Sequence, residues 1–525
     1  MSAKNAYLFL QSSFITLIFL LALECQVSAT PVSISAIPEN VLNSVATRVK
    51  SDEQLQELVD DAVNWAHHIG MAWRADKKIE RSDNCVFVPF TLFPSPFPRA
   101  LYQQAQDIQT DIQLLYFRVS NDYDFMFKTL EPVAKTDDAI NKWLQLYTTI
   151  HKEGNRQPLT LLLTRADYMG HVNNNNQRNE QNYELKQVEV NIGQIGGMAI
   201  ANRTTDLHRR MLAKVGDDNL NNQLPPNDAE GIVAQGVYQA WKAFGVDDAI
   251  VIAVAGSTGR NIEKFQLGVR VEQLSGNKIK IVKLSMVECD DKLELDEKDY
   301  SLRYKGRLVA VVFHQTTVEA PTAKYVLGRL KIERSTAIKS PSIGVELSGA
   351  KKVQQALSMP GVLEHFLPEP ENAEKIERIR NTFARMWGLE KNDEATKKII
   401  KDAIENPDNY VLKPSKECGG NNFWGQEIAE KLRTFEPSEL AAHILMERLR
   451  PPVVKNYMVR PAEEVHDMAN VVSELSIYGY LLGNSKDMSV LLNEREGYMI
   501  RTKHKDSPEG GVQAGGGAHD SPYLV

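Results

Sequence analysis

Residues 410–424 read YVLKPSKECGGNNFW, a short apolar run that ends in Lys413 and passes into a loop of small and amide residues. The run predicts a strand, and the loop has the makings of a phosphate cradle. Glycine lets backbone N–H groups come close to anionic oxygens, and a lysine at a strand end adds a point charge. Lys413 with Gly419, Gly420, Asn421 and Asn422 is the local pattern in question. No Gly-Lys-Ser/Thr follows, so this is not a Walker A motif, and an ordinary glycine-rich turn satisfies the same pattern.

Three other segments carry groups that suit such a loop. Glu189 and Asn191 end the strand-like run 187–191, two residues apart and so on one face. Two oxygen ligands on one face suit a hard cation such as magnesium, which takes a few protein oxygens and fills its shell with water and phosphate, and Glu417 in the loop offers a third. A solvated strand end reads the same way. The run 444–449, ILMERL, predicts a strand whose backbone could pair with an adenine edge while Glu447 holds a hydroxyl or amino group; it could equally be an edge strand of alternating polarity. Arg501 and Lys503 lie two apart in an extended segment and could meet an anionic intermediate from one side, or simply form a charged surface strand.

Around these segments, helical periodicity runs over 52–74, stops at the proline-rich stretch 88–98 and resumes over 100–153 as two or three helices. Strand-like runs follow at 158–163, 187–191, 248–255, 279–284 and 309–313, with helical stretches such as 228–244 between them. Alternation of this kind argues for α/β units around a largely parallel sheet. A second mixed region over about 374–467 reads as a separate lid, and 509–519 as a glycine-rich loop.

The whole chain has 525 residues, 42% hydrophobic and 25% charged, with a formal net charge of -7, and is long enough for several packed units. Its cations are scattered, so no footprint for nucleic acid is expected. Lys4, the apolar run 14–23 and the small-residue site Val27-Ser28-Ala29 form a signal-peptide layout. The run is too short to span a bilayer, so cleavage near Ala29, secretion and no later membrane attachment are expected. Cys85, Cys289 and Cys418 would remain, an odd number that argues against a disulfide framework. The sequon Asn202-Arg203-Thr204 is either occupied or a plain loop.

Together the segments resemble eukaryotic glutathione synthetase. KPSKECGGNNFWG at 413–425 is similar to that family's ATP loop, and PFTLFPS at 89–95, RADYM at 165–169, KQVEVN at 186–191, ERS at 333–335, GAKKVQQALS at 349–358, ILMERL, SEL at 473–475 and RTK at 501–503 follow in the family's order. The resemblance covers nearly all of the chain after the leader. It implies an α/β ATP-grasp fold with a parallel-sheet substrate domain (248–349), a lid (384–467) and a main domain (30–247 with 350–383 and 468–525), usually as a homodimer. The implied reaction joins γ-glutamylcysteine to glycine through an acyl phosphate, using ATP and Mg²⁺. The implied nucleotide contacts are Glu189, Lys351, Lys413, Glu417, Gly419, Gly420, Asn421, Asn422, Trp424, Met446, Glu447, Arg448, Leu449, Glu474, Lys503 and Glu509. Glu189, Asn191 and Glu417 match the metal ligands, and Arg501 and Lys503 are the expected catalytic cations.

The substrate side matches less well. Its counterparts are Arg165, Arg260, Asn261, Gln266, Gln315, Arg501, Val512 and Gln513. A serine-rich loop of the family is shortened here to Ile192-Gly193-Gln194-Ile195, an Arg-Asp-Gly-Tyr element becomes Gln315-Thr316-Thr317-Val318, and an expected glutamate is Gly259. Smaller departures are Cys418 for glycine, Trp424 for tyrosine and Glu509 for aspartate. Losing one partner of a desolvated charged pair costs about 2–5 kcal/mol, roughly 30-fold to several thousand-fold in affinity. Compensation would have to come from His314, Gln315 or Gln194. Two functions are therefore expected to compete: a ligase of this type, slow or with changed substrates, and an exported effector or binding protein on the same scaffold, as in the secreted glutathione-synthetase-like proteins of plant-parasitic nematodes that the chain resembles.

Overall fold

The computed structural model describes residues 44–75, 84–173, 182–216, 222–255, 262–315, 321–415, 421–463, 466–513 and 515–525. The expected signal peptide, Arg260, Asn261, Glu417, Cys418, Gly419 and Gly420 lie outside the described residues.

Helix α1 (Asp52–His68) begins where Ser51 caps the Gln54 N–H at 3.2 Å, and it buries Leu58, Val59, Ala62 and Ala66. It is shorter than the periodicity over 52–74 suggested. Gly70 takes φ +72° and Ala72–Arg74 is already a strand, because a left-handed residue ends the helix. Strand β1 (Phe90–Thr91) follows within the proline-rich stretch. Three helices then fill 99–153, the first of them α2 (Arg99–Ser120).

The next strands are β2 (Leu159–Asn173) and β3 (Asn182–Ile192), after which come α3 (Met198–Lys214) and α4 (Ala229–Phe244). A parallel unit follows: β4 (Ile250–Val254), α5 (Glu263–Leu274), β5 (Ile281–Leu284), β6 (Arg307–His314), α6 (Ala323–Arg334) and β7 (Ile338–Ser340). Short α7 (Lys351–Leu357) leads on to β8 (Met386–Gly388), β9 (Tyr410–Pro414) and β10 (His443–Glu447). The chain finishes with β11 (Val454–Val459), β12 (Met468–Asn484), β13 (Ser489–His504), β14 (Gly517–Asp520) and a last short strand at Pro522–Leu524.

These strands make three main sheets. Strands β5, β4, β6 and β7 lie side by side and parallel, as the continuous apolar run 249–255 requires of a strand covered on both faces. Strands β2 and β3 are not part of it. They are antiparallel neighbours at one end of a seven-stranded sheet of order β11-β1-β14-β13-β12-β2-β3. The alternation that suggested one parallel sheet over 158–313 thus spans two sheets. In the third, β10 lies between β8 and β9. The run 444–449 therefore begins in a middle strand, not an edge, and the backbone of 444–446 is already paired on both sides. A large core packs α4 against both bigger sheets, through Val233, Val237 and Trp241 on the helix, Leu163 and Tyr480 on one sheet, and Val251 and Val311 on the other.

The sequon Asn202 lies on α3, not in a loop, and its amide donates to Asp228 at 3.1 Å while its oxygen accepts from the Glu230 N–H at 3.3 Å. Cys85 is exposed and Cys289 buried, both as free thiols. Among the described residues no helix is long and apolar enough to cross a membrane.

Candidate active site

Alternation along a strand puts every second side chain on one face, and the register of the large sheet aligns several such faces. Arg165 opposes Asn191, Asp167 opposes Glu189, Glu474 opposes Arg501, and Arg501 opposes His519. At the centre is Asp167, fully buried. Its carboxylate accepts two hydrogen bonds from Arg165, at 2.9 and 2.8 Å, one from the Asn191 amide at 2.9 Å and one from Arg501 at 2.9 Å. Arg501 also donates to Glu474. Arg165 additionally donates to the Gly196 carbonyl at 3.2 Å.

Cations converge on Glu189. Lys351 stands 3.9 Å from its carboxylate, and Lys413 crosses from the three-stranded sheet to donate to the Val188 carbonyl at 3.2 Å. Burial works against the Glu189 charge, but Lys351, Lys413, Arg501 and Arg165 together hold its carboxyl well below the ordinary range. Glu474 goes the other way: burial, with Asp167 and Glu189 adding to it, raises its carboxyl against the pull of Arg501. Burial, helped by Arg501 and Arg165, pushes the His519 imidazole down to about 3, so it is neutral beside two guanidiniums.

The face opens onto two neighbouring cavities. One, of about 440 Å³, brings together Glu189, Asn191, Lys351, Lys413 and Glu474 with Asn421 and Asn422. The other, of about 490 Å³, holds Gln315, Val512, Gln513 and His519. Arg165, Gln194, Arg501 and Glu509 border both. Two guanidiniums thus stand where the cavities meet.

The remaining expected nucleotide contacts among the described residues, Trp424, Met446, Glu447, Arg448, Leu449 and Lys503, lie outside both linings. Trp424 has the Arg448 guanidinium 5.7 Å and the Lys503 ammonium 5.8 Å from its ring centre, and Lys503 donates to the Pro508 carbonyl at 2.9 Å. Burial lowers the Lys503 ammonium, against the carboxylates of Glu474 and Glu509. Glu447 is gripped by Arg385 at 3.0 and 2.9 Å, and Met446 packs with Ala384, Met386 and Ile444, with Leu449 against them.

Three expectations change. Gln266 does not face either cavity; its amide donates to the Gly70 carbonyl at 3.1 Å. His314 cannot compensate for a lost substrate contact, because it is fully buried beside Arg329. Gln194 donates its amide N–H to Glu346 at 3.3 Å, so of its amide only the oxygen is left to compensate at the border of the two cavities. The loop before it is held by sterics, since a Cβ at Gly193 would lie 2.4 Å from Pro341 at φ +77°.

Asp167, Glu263 and His519 were not singled out from sequence. Glu263, on α5, accepts the Gly197 and Ala199 N–H groups at 3.1 and 3.0 Å and so caps α3 from another element. The spacing Arg165-x-Asp167, the same as Glu189-x-Asn191, is the signal that would have found Asp167. His519 sits in β14, part of the segment read as loop.

The Glu189–Asn191 face carries a donor set that suits magnesium. Both side chains line the nucleotide-side cavity, and the Asn191 amide N–H bonds to Asp167 and, at 3.2 Å, to Glu189, which leaves its carbonyl oxygen for a cation. An ionised carboxylate and an amide oxygen beside lysines that suit phosphate fit a magnesium–nucleotide pair. Glu189→Gln is expected to weaken ATP binding in the presence of magnesium by at least about tenfold, the lower end of what even outer-shell changes cost at metal sites. Calorimetric titration with and without the metal checks this; equal loss in both conditions would make Glu189 a structural residue only.

Comparison with known proteins places these features. The family profile for "Eukaryotic glutathione synthase, ATP binding domain" matches residues 52–524. Glutathione synthetase of Bos taurus is 34% identical over 482 residues, 91% of this chain and 98% of that protein. The Homo sapiens protein is 33% identical, with the same 91% and 98% shares. Among solved structures, a glutathione synthetase-like effector from Globodera pallida in its apo form superposes with a TM-score of 0.74 at 32% identity, over 92% of this chain and all of that one.

Proposed function

The chain belongs to the eukaryotic glutathione synthetase family, and on that premise we propose that it is an ATP-dependent carboxylate–amine ligase whose acyl substrate differs from γ-glutamylcysteine. The observation that carries the reading is the position of Arg165 and Arg501 on the border of both cavities, tied together by Asp167.

In this reading Lys351 and Lys413 meet the phosphates, and Glu189, Asn191 and Glu417 hold magnesium, which when bound neutralises phosphate charge. Arg165 and Arg501 hold the substrate carboxylate where its oxygen attacks the γ-phosphorus and ADP leaves. The amine then attacks the acyl carbon, phosphate departs, and the amine nitrogen gives up its proton. Positioned cations supply most of the catalysis in such transfers. The changed acyl substrate is supported by Gln315 in place of a cation and by His314 being buried beside Arg329.

A second reading, an exported effector without this activity, is favoured by the likeness to the Globodera pallida effector and by the leader sequence, whose removal near Ala29 we include in the proposal along with a homodimeric state. Phosphate release with ATP and magnesium separates the readings. Weak release with γ-glutamylcysteine and glycine, and stronger release with another acid–amine pair, is expected. Strong release with the first pair would make the acyl pocket an ordinary one, and nucleotide binding with no release on any pair would favour the effector.

A further inference from the structure

A third cavity, of about 360 Å³, lies between α5 and the parallel sheet. Its walls are Val251 and Ala253 of β4, Ile281 of β5, Phe313 of β6, and Leu267 and Val271 of the helix. It runs along the strands from Val251 and Ile281, near their starts, to Ala253 and Phe313. Lys264, Leu267, Phe313 and Gln315 line both this cavity and the one containing Arg165 and Arg501. Phe265 also lines it and is 71% exposed, so an aromatic face stands at its mouth.

Among the described residues the charged groups here have one sign apart from Glu272: Lys264, Lys283 and Arg74. Lys264 donates to the Gln315 carbonyl, which holds its ammonium at the boundary between the two cavities. A γ-glutamyl head carries an ammonium as well as a carboxylate. Its ammonium would lose water against aliphatic walls and meet three cations against one carboxylate, Glu272. An aromatic or branched aliphatic group loses nothing polar and gains roughly 25 cal/mol for each Å² of apolar surface it buries.

Building on the ligase reading above, we propose that the acyl substrate is a carboxylic acid with a bulky apolar substituent. The substituent fills the cavity under α5, a carbonyl along the link accepts from Lys264, and the carboxylate lies between Arg165 and Arg501.

The test uses the purified protein with magnesium and a non-hydrolysable ATP analogue, and compares N-phenylacetylcysteine with γ-glutamylcysteine by calorimetric titration. The two share a carboxylate end and differ in the head. The apolar acid should bind at least about tenfold tighter, within the range that apolar pocket contacts supply. Gly268→Leu then fills the cavity from the helix: a Cβ there meets only the Ile281 Cδ1, at 3.6 Å, and the backbone is not in the left-handed region. It should remove the preference while the nucleotide still raises the melting temperature. Ala253→Leu, from the strand side, gives the same readout should the first variant not fold.

Equal or tighter binding of γ-glutamylcysteine, or a preference that survives both fillings, overturns the proposal. Phosphate release with γ-glutamylcysteine but not with apolar acids also overturns it, together with the changed acyl substrate proposed above, and leaves only the ligase activity standing. Selective binding of the apolar acid without release on any amine supports the cavity assignment and overturns the ligase reading.

Discussion

Asp167→Ala is expected to destabilise the fold by about 3–5 kcal/mol, the usual cost of removing one partner of a buried charged network. Asp167 is fully buried and accepts four hydrogen bonds, two from Arg165 and one each from Asn191 and Arg501. Alanine would leave two guanidiniums facing each other with Glu474 as the remaining close carboxylate. Asp167→Asn keeps a single acceptor oxygen and should lose less. Urea unfolding of both variants checks the order. A loss below about 1 kcal/mol for alanine would mean that the guanidiniums are solvated through the cavities and behave as a surface pair. The same substitution bears on function, because Asp167 fixes both cations where phosphoryl transfer is proposed.

What the sequence made legible follows the range of the interactions. Local alternation was enough for Glu189 and Asn191, which share a face as expected, and the apolar run 249–255 was enough for a buried parallel strand. Local pattern failed where a partner decides the outcome. Gly517–Asp520 reads as a glycine-rich tail, yet pairing with Ile500–Lys503 makes it a strand and sets His519 opposite Arg501. Leu159–Asn173 and Asn182–Ile192 carry apolar runs like those of the parallel unit, but they pair antiparallel with each other, and β12 pairs antiparallel with β2 on its other side. Gln266 is expected in the pocket only from the family resemblance, as a glutamine that either matches with one residue inserted or is absent, and its amide goes to Gly70 instead. Asp167 was passed over because a buried aspartate announces itself only through the cations that surround it.

Arg329→Met should cost a similar amount, about 3–5 kcal/mol near neutral pH, with a pH dependence that identifies the cause. Arg329 is 1% exposed. It donates to Glu333 at 2.9 Å and to the Pro341 carbonyl at 2.9 Å, pairs with Glu346 at 3.0 Å and lies 3.1 Å from the His314 ring nitrogens. Burial already raises the Glu346 carboxyl above its ordinary value, and Arg329 is the main group pulling it back. Without Arg329 the folded-state value rises further while the unfolded one stays. The folded state then holds the extra proton, so stability falls as pH rises through the raised value and is recovered as pH drops toward the ordinary carboxylate range. Lys339 offsets part of the loss: burial holds its ammonium down to about 8, Arg329 contributes to that, and removing the guanidinium lets Lys339 charge more fully beside Glu333. Unfolding measured at pH 5 and pH 8 should therefore show a smaller deficit at the lower pH, and a deficit that does not change with pH would trace the loss to packing and the Pro341 carbonyl instead. Because Glu346 also holds Gln194 at the wall of the nucleotide-side cavity, the variant is further expected to weaken substrate binding most where its stability deficit is greatest.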